Sequence, residues 1–257
     1  MGAKIIGIAT QKGGVGKSTT AIEFSAALAI EHDKKVLLVD FDGQTNSSMY
    51  LGIEDPKFTS YELIKDPKLV KKAIVKLDHF DIIPGSANLS LINKEFPEPA
   101  DVFRLDDALD LVRKSYDYII IDNGPQRDLQ MQMVYVTSDY IVCPTDESEG
   151  GIKGIENVYE DVEKLKNAKI SMSHAEVIGA ILTRFKKSQV LSKSLLDYLK
   201  ATMGAISENI GVYTTADCTK AGEAKIMKMP IQEYAPYSTV AIDYRTIIDS
   251  LLEKMGD

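Results

Sequence analysis

Two hydrophobic periods alternate along the chain. Short β-branched runs at Lys4–Thr10, Lys35–Asp40, Phe80–Pro84, Tyr116–Asp122, Tyr140–Pro144, Val177–Arg184 and Ile210–Thr214 predict strands. Several are apolar at consecutive positions, as in Ile5-Ile6-Gly7-Ile8-Ala9 and Val36-Leu37-Leu38-Val39, and a strand covered on both faces requires that. Between them, helical spacing predicts helices over Ser18–Glu31, Thr59–Ile64, Leu105–Lys114, Leu129–Val136, Gly151–Lys166, Gln189–Met203 and Thr239–Met255. Such alternation implies right-handed crossovers and an α/β fold: a single doubly wound, mostly parallel β-sheet with helices on both faces. Ligands of such sheets bind at the carboxyl ends of the strands. Charges and prolines in Glu54–Leu105 predict peripheral helices and loops there. No repeat and no long Pro/Gly/Ser-rich linker interrupts the pattern, so residues 1–257 are expected to form one domain.

Composition narrows the class. At 44% hydrophobic and 26% charged residues, the chain matches an ordinary globular protein. Its apolar runs are strand-sized, far short of the ~20 residues that span a bilayer. Lys4 and the polar break Thr10-Gln11-Lys12 interrupt any secretory core, and Ile6 stands where a myristoylation signal needs Ser or Thr, so a cytoplasmic location is expected. The two cysteines, Cys143 and Cys218, form no CxxC, and the three histidines, His32, His79 and His174, are isolated. Neither a disulfide framework nor a zinc site is indicated. A formal net charge of -8 excludes a generally cationic surface but leaves room for a local basic patch.

The chemistry concentrates after the first strand. Lys4–Thr10 runs into Gln11-Lys12-Gly13-Gly14-Val15-Gly16-Lys17-Ser18-Thr19, and Ser18 opens an alanine-rich helix. Strand, glycine turn and helix N-terminus are the context of a P-loop NTPase. Residues Lys12, Gly13, Gly14, Val15, Gly16, Lys17, Ser18 and Thr19 are therefore expected to hold a nucleotide. Backbone N–H groups would surround the phosphates, Lys17 would reach the β/γ oxygens and Ser18 would offer a hydroxyl to Mg²⁺. Gln11 stands where the ordinary pattern has its first glycine, and Lys12 places a second lysine at the loop's mouth. Asp122 ends an apolar strand, where an unpaired carboxylate is costly. A metal shell compensates it, so Asp122 is expected to serve Mg²⁺ through a water. Asp40 and Asp42 end another strand two residues apart and point to one face.

The pattern K-G-G-x-G-K-[ST] resembles the deviant Walker A motif of the ParA/MinD class of P-loop ATPases. Val36-Leu37-Leu38-Val39-Asp40-Phe41-Asp42-Gly43-Gln44-Thr45-Asn46 resembles that family's second-strand motif, and Tyr116–Pro125 its Walker B strand. Glu223-Ala224, Pro230-Ile231, Glu233–Pro236 and Ala241–Tyr244 resemble the closing segment of ParA/Soj-type partition ATPases. The resemblance implies ATP with Mg²⁺ as cofactors, and an ATP-sandwich homodimer in which Lys12 crosses to the partner's phosphates. It also implies that Asp42 orients the attacking water while Asp40 supports the metal shell or a lysine. Gly43 and Asn123-Gly124 replace residues that are usually Pro and Thr-Pro in the family, which loosens both candidate switch loops. Ile181–Arg184 and Thr214-Thr215-Ala216 are expected walls for adenine.

With the loop beginning at residue 11, no N-terminal helix-turn-helix is expected. Arg184, Lys186, Lys187, Lys193, Lys220, Lys225 and Lys228 concentrate positive charge in the last third, a candidate surface for non-specific DNA. Lys220 precedes Ala221-Gly222-Glu223-Ala224 much as a DNA-binding arginine does in Soj-like proteins. By resemblance, then, the chain segregates plasmid or chromosomal DNA, associates with the nucleoid when ATP-bound, and is released when a ParB-type or centromere-binding protein stimulates hydrolysis. The alternatives are a MinD-like membrane-cycling ATPase and one that positions a protein cargo. The acidic C-terminal stretch Ile247–Asp257, without an aromatic anchor, disfavours the membrane. The two cysteines are not placed like the cluster-bridging pair of a nitrogenase-iron-type protein.

Overall fold

A computed structural model describes residues 2–257. Strands Lys4–Ile8 (β1), Val36–Phe41 (β2), Val75–Lys76 (β3), Asp81–Ile83 (β4), Tyr118–Asn123 (β5), Tyr140–Thr145 (β6), Glu176–Phe185 (β7) and Gly211–Ala216 (β8) form one eight-stranded sheet, in the order β3-β4-β2-β5-β1-β6-β7-β8. All neighbouring strands run parallel except β3, which pairs antiparallel with β4. The doubly wound parallel sheet expected from the sequence is present. β2 and β5 are buried at every position, and this explains their unbroken apolar runs.

Alternate strand residues feed two cores. Ile6, Ile8, Leu38 and Ile120 pack with Phe24 and Leu28 of the helix Lys17–Glu31 and with Tyr244 and Leu251 of the helix Thr239–Met255. On the other face Ile5, Leu37, Val39 and Ile121 meet Met131 and Val134 of the helix Leu129–Thr137, and Ile155 and Val158 of the helix Glu149–Lys166. Register levels the strand ends: Asp122 stands opposite both Ile8 and Asp40. The loops that follow β1, β2 and β5 therefore meet at one place on the rim.

Several elements differ from expectation. The two-residue β3 and the helices Asn46–Tyr50, Thr219–Ile226 and Ile231–Tyr234 were not predicted. The helix expected over Leu105–Lys114 is Arg104–Asp110, followed by a separate 3₁₀ turn at Arg113–Ser115. The helix Val190–Ile206 runs past the expected end at Met203.

Candidate nucleotide site

Gly16 caps the helix Lys17–Glu31 at φ 88°, and Gly14 lies at φ 74°. Both values are left-handed, where a side chain would strain the turn. The loop is gripped from three sides. Thr183 Oγ1 lies 3.0 Å from the carbonyl oxygens of Val15 and Thr145, and Arg184 donates to the Gly14 carbonyl at 2.8 Å. Gln11 donates to Asp161 at 3.1 Å and accepts from Asn157 at 3.0 Å. Lys12 Nζ lies 2.7 and 2.8 Å from the two Asp146 oxygens and 2.5 Å from the Ser148 hydroxyl. Lys17 is 7% exposed and folds back to donate to the Lys12 carbonyl at 3.0 Å. Burial lowers its pKa, while Asp122 and Asp42 oppose the shift.

These residues border a cavity of about 300 Å³ walled by Gly14, Lys17, Ser18, Thr19 and Asp42, with Asn46, Tyr50, Pro125 and Lys225 completing it. A second cavity of about 320 Å³ shares Gly14, Gly16 and Thr19 and is lined by Thr183, Arg184, Thr215, Ala216 and Cys218. The two segments expected to wall the base thus come together beside the phosphate loop.

Each aspartate has a distinct environment. Ser47 donates to Asp122 Oδ2 at 2.7 Å, but Asp122 Oδ1 is buried with no partner. Burial and the nearby Asp40 push Asp122 up to about 7, opposed by the neighbouring Ser18 and Ser47 hydroxyls. An orphaned buried carboxylate oxygen beside Ser18 suits a hydrated divalent cation, so Ser18 and Asp122 fit the expected metal role. Asp40 does not fit it. Its Oδ2 accepts from the Ser48 amide at 2.8 Å and the Ser48 hydroxyl at 2.6 Å, while Oδ1 accepts from the Asp42 amide at 3.3 Å. Asp40 fastens the turn that presents Asp42, and burial raises it to about 6. Asp42 lines the phosphate cavity, with Oδ1 accepting from the Gln44 amide at 3.0 Å. A Cβ at Gly124 would stand 3.2 Å from Asp42 Oδ1, so glycine there lets the β5 loop close upon this carboxylate. The turn also contains Thr45 at φ 53°, an unfavourable conformation for a β-branched residue.

The expected basic surface is divided. Arg184, though exposed, braces the phosphate loop, and Lys225, also exposed, lines the nucleotide cavity. Lys220 pairs with Glu223 at 2.7 Å, Lys186 with Asp217 at 3.6 Å and Lys228 with Glu54 at 2.8 Å. Lys187 and Lys193 stand exposed. At the C-terminus, the helix Thr239–Met255 turns Val240, Tyr244, Ile247, Ile248 and Leu251 into the core. Among the described residues no helix is long and apolar enough to cross a membrane. Sequence reasoning missed Ser47, Ser48, Asp146 and Ser148. Their only signal was position: two hydroxyls after the second-strand motif, and an acid-rich turn after β6.

A glycine loop joining a strand to a helix, with an orphaned aspartate at the end of an adjacent strand, defines the class as P-loop nucleotide-binding proteins. A family model described as an AAA domain matches residues 3–174. The sporulation initiation inhibitor protein Soj of Bacillus subtilis is 33% identical over 202 residues, covering 77% of this chain and 79% of Soj. The chromosome partitioning protein ParA of Caulobacter vibrioides is 31% identical over 208 residues, covering 78% of this chain and 77% of its own. A putative plasmid partition protein from Borrelia burgdorferi, solved bound to AMPPNP, superposes with a TM-score of 0.82 at 27% identity, covering 98% of this chain and 99% of that one. The chain belongs to the ParA-type family of P-loop ATPases.

Proposed function

We propose that this chain is a single-domain partition ATPase that binds ATP with Mg²⁺, pairs with a second copy across two nucleotides, and thereby segregates plasmid or chromosomal DNA. The observation that carries the reading is the convergence of Lys17, Ser18 and Asp42 on one cavity, with Asp122 buried behind it near Lys17 and the Lys12 carbonyl holding the Lys17 amine. Lys17 exchanges the Lys12 carbonyl for phosphate oxygens. Asp42 accepts a hydrogen bond from the attacking water and so aims it, which is most of what phosphoryl transfer asks of a protein. Ser18, and Asp122 through a water, would hold Mg²⁺, which would supply charge neutralisation at the phosphates. Lys12 leaves Asp146 for the second copy's phosphates, a contact that depends on the γ-phosphate.

Paired, the molecule doubles its array of Lys186, Lys187, Lys193 and Lys220, supporting non-specific contact with DNA phosphates and residence on the nucleoid. A basic partner of the ParB or centromere-binding type then accelerates turnover and releases the dimer. The buried apolar face of the C-terminal helix argues against a membrane-cycling role. The test is DNA binding at low salt with ATP, with ADP and without nucleotide. Retention on DNA with ATP alone supports the reading. Binding to anionic liposomes but not to DNA overturns it in favour of a MinD-like role.

A further inference from the structure

The helix Glu149–Lys166 grips the phosphate loop twice. At its N-terminus, Asp146 and the capping Ser148 hold Lys12; three turns on, Asn157 and Asp161 hold the side chain of Gln11. Asp161 divides its oxygens. Oδ2 accepts from Gln11, while Oδ1 accepts from Arg127, which lies in the loop between β5 and the helix Leu129–Thr137. Only 14% of the Asp161 side chain is exposed, against 54% for Arg127, and Lys164 adds a weaker contact at 3.7 Å. One shielded carboxylate thus joins the loop that follows Asp122 to the residue standing where an ordinary P-loop has its first glycine.

Resting on the ATPase reading above, we propose that Asp161 is a positioning residue for hydrolysis. It lies outside the lining of the nucleotide cavity, yet it fixes the entrance of the phosphate loop relative to the loop carrying Gly124 and Arg127. Gly124 closes against Asp42, so a shift of that loop moves the carboxylate that aims the water. Gln11 adjoins Lys12, so loosening it also frees the start of the loop. Bulk affinity for nucleotide rests on Lys17 and the glycine amides, which Asp161 does not touch. The geometry therefore separates turnover from binding, because displacements well under the size of an atom already slow a reaction that depends on alignment.

The experiment compares Asp161→Ala, Asp161→Asn and Asp161→Glu with wild type, and Gln11→Ala with Arg127→Ala singly and together. Steady-state ATP hydrolysis, affinity for a fluorescent ATP analogue, and hydrogen exchange of residues 11–17 without nucleotide are read in each. Asp161→Ala is expected to lower kcat about tenfold while changing affinity less than about twofold, and to speed exchange in the loop. Asp161→Asn can serve only one of its two donors and should fall between, while Asp161→Glu restores most of the rate. The Gln11→Ala, Arg127→Ala double variant should be no slower than Asp161→Ala, because both act through one group. Unchanged kcat and exchange in Asp161→Ala, or equal losses of rate and affinity, would overturn the proposal. A wild-type chain that hydrolyses no ATP would instead sink the ATPase reading, leaving the exchange result to judge Asp161 alone.

Discussion

Lys12 and Asp146 form a two-pronged ion pair within one chain, with Nζ at 2.7 and 2.8 Å from the two carboxylate oxygens. The side chains are 32% and 28% exposed, so water already screens the pair and its net worth is about 1 kcal/mol. If Lys12 serves a second copy, as proposed, it must first give up this partner. Asp146→Asn is therefore expected to tighten ATP-dependent self-association by about fivefold. Light scattering across a protein dilution series checks this, and weaker association in the variant would refute the latch.

Lys17 and Asp42 should fail differently. Lys17→Ala removes the buried cation of the phosphate site, costing about 3 kcal/mol or roughly 100-fold in ATP affinity. On the proposed roles, Asp42→Ala removes only the group assigned to aim water, so ATP binding should persist while turnover disappears. Equilibrium titration paired with single-turnover hydrolysis separates the two, and normal hydrolysis by Asp42→Ala would remove its assigned role.

Self-association should follow the γ-phosphate. Asp42→Ala with ATP is expected to be dimeric, ADP should leave it monomeric, and Lys12→Ala should weaken the ATP dimer. Sedimentation velocity reads all three. A dimer indifferent to nucleotide would eliminate the sandwich.

DNA binding should be tested away from the nucleotide cavity. Lys225→Glu is expected to disturb ATP binding, since Lys225 lines that cavity. Lys187→Glu with Lys193→Glu should weaken DNA binding and leave ATP-driven pairing intact. For Z phosphate contacts the log–log salt slope should be roughly −0.9Z, and it should become shallower in the double variant. A slope near zero in the wild type would exclude this mode.

Glu23 gives the fold a pH dependence. Wholly buried, it accepts from the Ile231 and Gln232 amides at 2.7 and 3.1 Å, and burial raises it to about 8 despite those bonds. Because the folded value lies above the unfolded one, folding retains a proton that the unfolded chain releases. The contribution is complete below the unfolded value of 4.5 and is lost as pH rises toward about 8. Glu23→Gln cannot titrate, so the wild type's advantage over it should shrink between pH 5 and pH 8, by up to about 1.4 kcal/mol per pH unit. Urea unfolding at both pH values measures this, and a constant difference would assign the buried carboxyl a permanent charge.

The legible parts of this molecule are those governed by neighbours in sequence. The order of Gly13, Gly14 and Gly16 before Lys17 announces the phosphate loop, and unbroken apolar runs announce β2 and β5. Asp146 was not legible as the partner of Lys12, because 134 residues separate them and only the β1–β6 pairing brings them together. Arg184 and Lys225 read simply as positive charge, since composition does not reveal that one braces a carbonyl and the other faces a cavity. Val75–Lys76 is too short to show a period, and Gly222 weakens the signal of Thr219–Ile226.

The free thiols differ sharply in accessibility. Cys143 is wholly buried and burial pushes its thiol far up, whereas Cys218 is half-buried at the N-terminus of Thr219–Ile226, in the cavity beside the phosphate loop. A maleimide dye added to the unaltered protein has one practical target, and it shares a cavity with Gly14, Gly16 and Thr19 of the phosphate loop. Without engineered cysteines, the molecule carries its own attachment point for an optical readout of site occupancy.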